Sequence, residues 1–219
     1  MTRAGTALNT VSDARRPRAG RPPQALITRR AAAEAALRLI DEGGLDTLSL
    51  QGVARALGVK APSLYHHFRD KEELLTQVVR ALLEETSAEQ KNWSTNWETR
   101  TIELALATRH VALRHPNAAP LALRFFPRKL MLPAYERMLA DCPYPSEAHA
   151  IVMEAIEKFT WGSSLFAAAA EAHHTPAMPQ VDAEHFPYLA KAVQTEANDE
   201  EVFVASLRVV LAGLRSLYG

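Results

Sequence analysis

Between Lys60 and Lys71 the chain reads Lys-Ala-Pro-Ser-Leu-Tyr-His-His-Phe-Arg-Asp-Lys. Its polar members are hydrogen-bond donors and flat rings rather than plain solubilising charges. The ammonium groups of Lys60 and Lys71, the Ser63 hydroxyl, the Tyr65 phenol and the imidazoles of His66 and His67 can grip phosphate oxygens and read base edges. Catalysis asks for other constellations. The sequence holds no Gly-x-Ser-x-Gly, no glycine-rich phosphate loop behind a strand and no His-Glu-x-x-His, and Cys142 is its single cysteine. No enzyme activity and no cofactor are therefore expected. Neighbouring helical residues point about 100° apart, so His66 and His67 are not expected to share a metal ion.

The elements that must hold these groups can be read from spacing. A first helix is expected from a Thr28 cap to Glu42, with Ala32, Ala35, Ala36, Leu39 and Ile40 inward, and Gly43-Gly44 to end it. A second runs from Ser49 to Leu57 through Leu50, Val53 and Ala54, closed by Gly58. A short third helix follows, Ala61 to His66, with Pro62 in its first turn, where a missing amide costs nothing. Asp70 caps a fourth that opens Lys71-Glu72-Glu73 and passes Leu83. Val59 and Leu64 fill the corner between the two short helices. A projecting third helix in this setting fits the ~12 Å major groove of B-DNA.

Beyond it, helices are expected over 95–114, 118–126, 133–140, 146–172, 185–194 and 199–217, broken at prolines, with no strand pattern. In the last one Phe203, Leu207, Val210, Leu214 and Leu217 recur at spacings of 4, 3, 4 and 3, and Val204, Leu211 and Tyr218 form a second stripe beside them. That is more apolar surface than one core needs. With Ile151, Ala155 and Gly162 from 146–172, the residues Val204, Leu207, Leu211, Leu214 and Tyr218 are the expected homodimer interface. Trp97, His110, Phe125, Phe126, Met131, Phe159 and Phe166 read either as core formers and surface groups or as the walls of an apolar ligand pocket.

Charge divides the chain. Residues 1–80 carry 13 Lys and Arg against 8 Asp and Glu, and residues 81–219 carry 12 against 17, so a +5 segment precedes a −5 segment. A nucleic-acid module joined to one that stays off the phosphates has this pattern. Residues 1–25 are expected to form a disordered basic arm. Arg18 and Arg21, around Gly20, read either as minor-groove contacts or as part of a solvated tail. No apolar run reaches the ~20 residues that span a bilayer, no signal segment is evident, and a single cysteine fits a reducing cytoplasm.

The Leu-x-Leu-x-x-Val-Ala-x-x-Leu-Gly-Val run from Leu48 and the pattern Ser63-Leu64-Tyr65-x-His67-Phe68-x-x-Lys71-x-x-Leu74-Leu75 resemble the tetracycline-repressor family of bacterial regulators. The likeness is strong over 28–80 and looser behind it, at His115-Pro116, Phe159-Thr160-x-Gly162 and the terminal helix. It implies an all-α protein with a helix-turn-helix domain over 26–72 and a regulatory, ligand-binding and dimerising domain over 73–219. It further implies groove contacts from Gln51, Lys60, Ala61, Pro62, Ser63, Tyr65 and His66, and phosphate contacts from Ser49, Tyr65, His67 and Lys71, with Thr28 a further anchor. The partners implied are a near-palindromic double-stranded DNA operator, a second copy of the chain and a small-molecule effector. The family's tetracycline-binding polar residues do not recur; Ser87 stands where a histidine is expected. The alternative is a helical ligand-binding protein whose helix-turn-helix has lost its use.

Overall fold

The computed structural model describes residues 27–89, 92–125, 128–176, 178, 180–194 and 198–219. Within them the chain forms ten α-helices and two 3-10 turns, with no strand among the described residues. The expected arm with Arg18 and Arg21, and Phe126, lie outside them.

Helix α1 spans Arg29–Gly43 and starts where Thr28, in extended backbone, accepts a hydrogen bond from the Ala31 amide at 3.0 Å. Its buried face is mostly alanine, which lets it lie close along α4, Lys71–Ala88. Helix α2, Leu50–Ala56, is capped by Ser49, and α3 is the five residues Ala61–Tyr65. Between them Gly58 takes φ +66°, although a Cβ there would meet nothing within 4 Å. Backbone conformation, not space, reserves that position for glycine. The Val59 amide then reaches back to the Ala54 carbonyl at 2.9 Å and swings α3 away from α2. Asp70 caps α4 through the Glu73 amide at 2.8 Å.

Helix α5 is Trp97–Arg114, capped by Asn96. Helix α6 is only Leu121–Arg124, shorter than the expected 118–126. The chain turns tightly first, with the amides of Ala118 and Ala119 both bonded to the His115 carbonyl, and Pro116 and Pro120 have no N–H to extend a helix backward. Helix α7, Arg128–Ala140, begins five residues before the expected start and runs through Pro133. Pro133 and Lys129, the residue whose carbonyl it cannot bond, are both exposed, so water can serve that carbonyl. Helix α8 is His149–Ala172, α9 is Pro187–Val193 and α10 is Asp199–Tyr218, the last opened by a capping box between Asn198 and Glu201.

Among the described residues two large apolar cores result, beside a small one of Ala112, Ala119 and Ala168. The first joins α1–α4 through Ile40, Val53, Leu64, Phe68, Leu74 and Val78, and it also takes in Val111, Ala118, Leu121 and Ala122 from α5 and α6. The second joins α5, α8 and α10 through Trp97, Val152, Ile156, Phe203, Leu207, Leu211 and Leu214. This corrects the expected dimer interface. Leu207, Leu211 and Leu214 are buried inside the subunit, and Val204 and Tyr218 pack against the same core. Apart from Leu217, both stripes of α10 are used internally, against α8 and α5. The apolar residues left outside are Val202, Val209 and Leu217 on α10, and Ile151 and Phe166 on α8. Ala155 and Gly162, half-buried, continue the α8 row.

The burial of Leu211 sets an expectation. Leu211→Glu forces a carboxylate into an apolar core, so it lowers subunit stability by about 3 kcal/mol or more rather than yielding folded monomers. Urea unfolding followed by circular dichroism measures this; an unchanged midpoint contradicts it.

Candidate nucleic-acid interface

Leu64 is wholly buried, and it fixes which side of α3 faces out. Tyr65 is 53% exposed, and Lys60, Pro62 and His66 are exposed with it. Ala61, Ser63 and His67 are half-buried at the edges of this face. Gln51 is exposed on α2, as are Ser49 and Thr28 at the starts of α2 and α1. The last two hydroxyls accept capping hydrogen bonds from Gly52 and Ala31. A hydroxyl that accepts still has its proton to donate, so capping leaves each able to bond a phosphate oxygen.

Lys71 also makes a contact that the resemblance does not imply. Its ammonium turns inward and donates to the Leu45 carbonyl at 3.2 Å, tying α4 to the 3-10 turn Leu45–Thr47. That carbonyl also accepts from the Leu48 amide at 3.2 Å, so the ammonium adds a second hydrogen bond to it.

A brace behind α3 was not legible as such. Arg29 donates to the His67 carbonyl at 2.7 Å and to Glu73 at 2.6 Å, and its guanidinium lies 4.8 Å above the Phe68 ring. Glu73 also accepts from the Arg69 amide at 2.9 Å. That amide first, then Arg29, draw the Glu73 carboxyl down to about 2. One arginine thus ties the start of α1 to the end of α3 and the start of α4. Its only sequence signal was Glu73 at the third position of a capped helix.

The expected ligand pocket does not assemble from its expected residues. Trp97 is core: its ring meets Tyr144 edge-on at 5.6 Å and its indole N–H donates to the Met138 carbonyl at 2.8 Å. Phe159 leans on Phe203 at 5.4 Å in the same core. Phe125 packs on the first core beneath Arg124. His110 stands between Glu200 at 2.7 Å and Glu89 at 3.5 Å, and Met131 is half-buried on α7. Phe166 alone of the group borders a groove of about 570 Å³, where Leu123, Trp161 and Leu165 form apolar walls and Arg128 and Glu157 a polar end. There Tyr135 donates to Glu157 at 3.1 Å, and burial first, with the Glu157 charge, pushes the phenol up to about 12. A smaller cavity of about 10 Å³ lies between α4, α5, α6 and α8.

Sequence reasoning also passed over Arg109, which is 1% exposed. Its guanidinium lies 5.0 Å above Phe203 and pairs with Asp199, while burial lowers its pKa. It begins a line of ion pairs along α5. His110 joins α4 to α10, Arg114 pairs with Glu85 and Glu89, and His115 meets Asp41 at 2.8 Å and Glu85 at 3.2 Å.

The chain is similar to known proteins in sequence and fold. Residues 33–78 match the family model described as bacterial regulatory proteins, tetR family, and residues 91–218 match tetracyclin repressor-like, C-terminal domain. The class D tetracycline repressor protein of Escherichia coli is 27% identical over 203 residues, spanning 86% of this chain and 89% of that one. The crystal structure of a "possible TetR family transcriptional regulator" from Streptomyces coelicolor A3(2) is 27% identical, with a TM-score of 0.69 over 87% of this chain and 100% of that one. ActR of Streptomyces coelicolor, solved in complex with actinorhodin, shares the fold at 23% identity and a TM-score of 0.69, over 89% and 98% of the two chains.

The Glu73 brace predicts an acid response. A carboxyl held below its ordinary 4.5 adds stability that is complete above that value and is lost as the pH falls toward about 2. Glu73→Gln removes this component, so its melting temperature falls less steeply than wild type between those limits. Parallel slopes in a pH series of thermal melts contradict the assignment.

Proposed function

The chain belongs to the tetR family of bacterial regulatory proteins, and from that premise we propose that it is a homodimeric repressor, released from its operator by a small molecule. It is a transcriptional regulator with a DNA-binding and a ligand-binding domain. The observation that carries the finer reading is the outward face of α3: Lys60, Pro62, Tyr65 and His66 are exposed beside Gln51, on a helix fixed by Leu64 and the Arg29 brace. Groove contacts come from that face, with Ala61, Ser63 and His67 at its margin and Ser49 and Thr28 on flanking phosphates. Arg18 and Arg21 extend the contact into the minor groove.

Two such heads read half-sites about one helical turn, ~34–36 Å, apart. The second copy joins through α8 and α10, where Ile151, Ala155, Gly162 and Phe166 line up beside Val202, Val209 and Leu217. Small residues in these rows favour close helix packing, and exposed apolar rows on adjacent helices are costly unless covered. The effector enters the groove bordered by Trp161, Leu165 and Phe166, which lies on the same side of α8 as this face, so the partner helps to close it. Its site of action is the cytoplasm; among the described residues no helix is long and apolar enough to cross a membrane.

DNA binding is tested by fluorescence anisotropy on duplexes from the region upstream of the gene. Wild type binds with an affinity that falls steeply with salt, and Tyr65→Ala costs about 1–3 kcal/mol on the specific duplex with the fold intact. Salt-independent or absent binding instead favours a ligand-binding protein with an idle helix-turn-helix. Val209→Asp, at a 73% exposed position, yields folded monomers by light scattering with unchanged circular dichroism; a dimer that persists moves the interface elsewhere.

A further inference from the structure

His115 ends α5 and starts the turn into α6, and each of its ring nitrogens faces a carboxylate from a different helix. Nδ1 is 2.8 Å from Asp41 Oδ2 on α1, and Nε2 is 3.2 Å from Glu85 Oε2 on α4. A neutral imidazole has one N–H and one lone pair, so it can donate to only one of them, and its other nitrogen then directs a lone pair at a carboxylate oxygen. Only the imidazolium donates to both.

The surroundings add to this demand. Asp41 Oδ1 is buried with no hydrogen-bond partner among the described residues, so the His115 proton is the main compensation for that carboxylate. The charged groups facing the ring are Asp41 from α1 and Glu85 from α4. On its own helix, Arg114 pairs with Glu85 at 2.9 Å and with Glu89. From the following turn, the Asn117 amide donates to the Asp41 carbonyl at 3.1 Å. The hydrogen bond to Asp41 raises the imidazole pKa most; burial opposes it, and the charges of Asp41 and Glu85 raise it further. The backbone links ring to fold, because the His115 carbonyl accepts from Ala118 and Ala119, and Ala118 is buried in the first core.

We propose that His115 is a proton-operated latch between the DNA-reading helices and the regulatory helices, closed while the imidazole carries both N–H protons. Loss of one proton to solvent breaks one of its two carboxylate bonds, and when that is the bond to Asp41 the Asn117 hydrogen bond alone still ties the last turn of α1 to the α5–α6 turn. The proton thus acts as a ligand that prefers the docked arrangement. Since the folded pKa lies above the ordinary 6.5, the latch is fully closed below that pH and opens as the pH rises through the folded value. Its regulatory meaning rests on the reading of α3 as the DNA-contacting helix, whereas the latch itself does not.

The test uses the full chain without DNA. Nuclear magnetic resonance of the His115 ring follows its titration, and amide hydrogen exchange follows residues Ile40 to Gly43. His115 is expected to titrate above 6.5, with protection of those amides falling about tenfold across the transition. His115→Gln lacks that pH step, and Asp41→Asn brings the titration of His115 down. Titration at or below 6.5, or a His115→Gln protein with the wild-type pH step, overturns the latch. Should His115→Gln not fold, the Asp41→Asn titration decides, and an unmoved value overturns it. Operator binding is measured separately, so failure of one idea leaves the other standing.

Discussion

The structure depends on a core that two functions share. Val111, Ala118, Leu121 and Ala122 from the regulatory half are buried with Ile40, Leu64 and Phe68 from the reading half. Helix α4 is the common beam, its Leu74, Leu75, Val78, Val79 and Leu82 all buried. Because interiors are close-packed and yield little, a shift of the α5–α6 turn must be passed to α1 and α4 or create a void. One apolar cluster takes in Leu121 and Ala122 from α6 together with Leu64 from α3 and Phe68.

Charge is laid over that core as a set of ties between helices. Arg29 holds the reading helix from behind, and Arg109, His110, Arg114 and His115 hold α5 to α10, α4 and α1 in turn. Exposed ties of this kind add little stability singly. Arg109 is the exception because its charge is buried and must keep Asp199 as a partner. Such ties fix orientation more than energy.

The helix-turn-helix was legible in the sequence because its signals are local. Thr28, Ser49 and Asp70 cap the helices their positions announced, and Gly58 takes the left-handed conformation that its place after Leu57 implied. The same reasoning failed at Pro133, where solvent exposure permits a helix to run on, and it did not foresee the hydrogen bond from Lys71 to a turn carbonyl remote in sequence. At Trp97 and Phe159 it could not choose, since an aromatic wall of a pocket and an aromatic member of a core have the same periodicity.

Periodicity told how much of α10 is apolar, and by itself it established an all-helical chain with a projecting, donor-rich third helix. That residues of both stripes of α10 pack inside the subunit was decided only when α5 and α8 closed over Leu207, Leu211 and Leu214. The bridging of His115 between Asp41 and Glu85 was likewise invisible, as the three residues are separated by 74 and 30 positions. Helix spacing and capping are interactions within a few residues, so the sequence determines them. Which face is covered, and which charges meet, follows from how whole helices pack, and only the tertiary structure decides it.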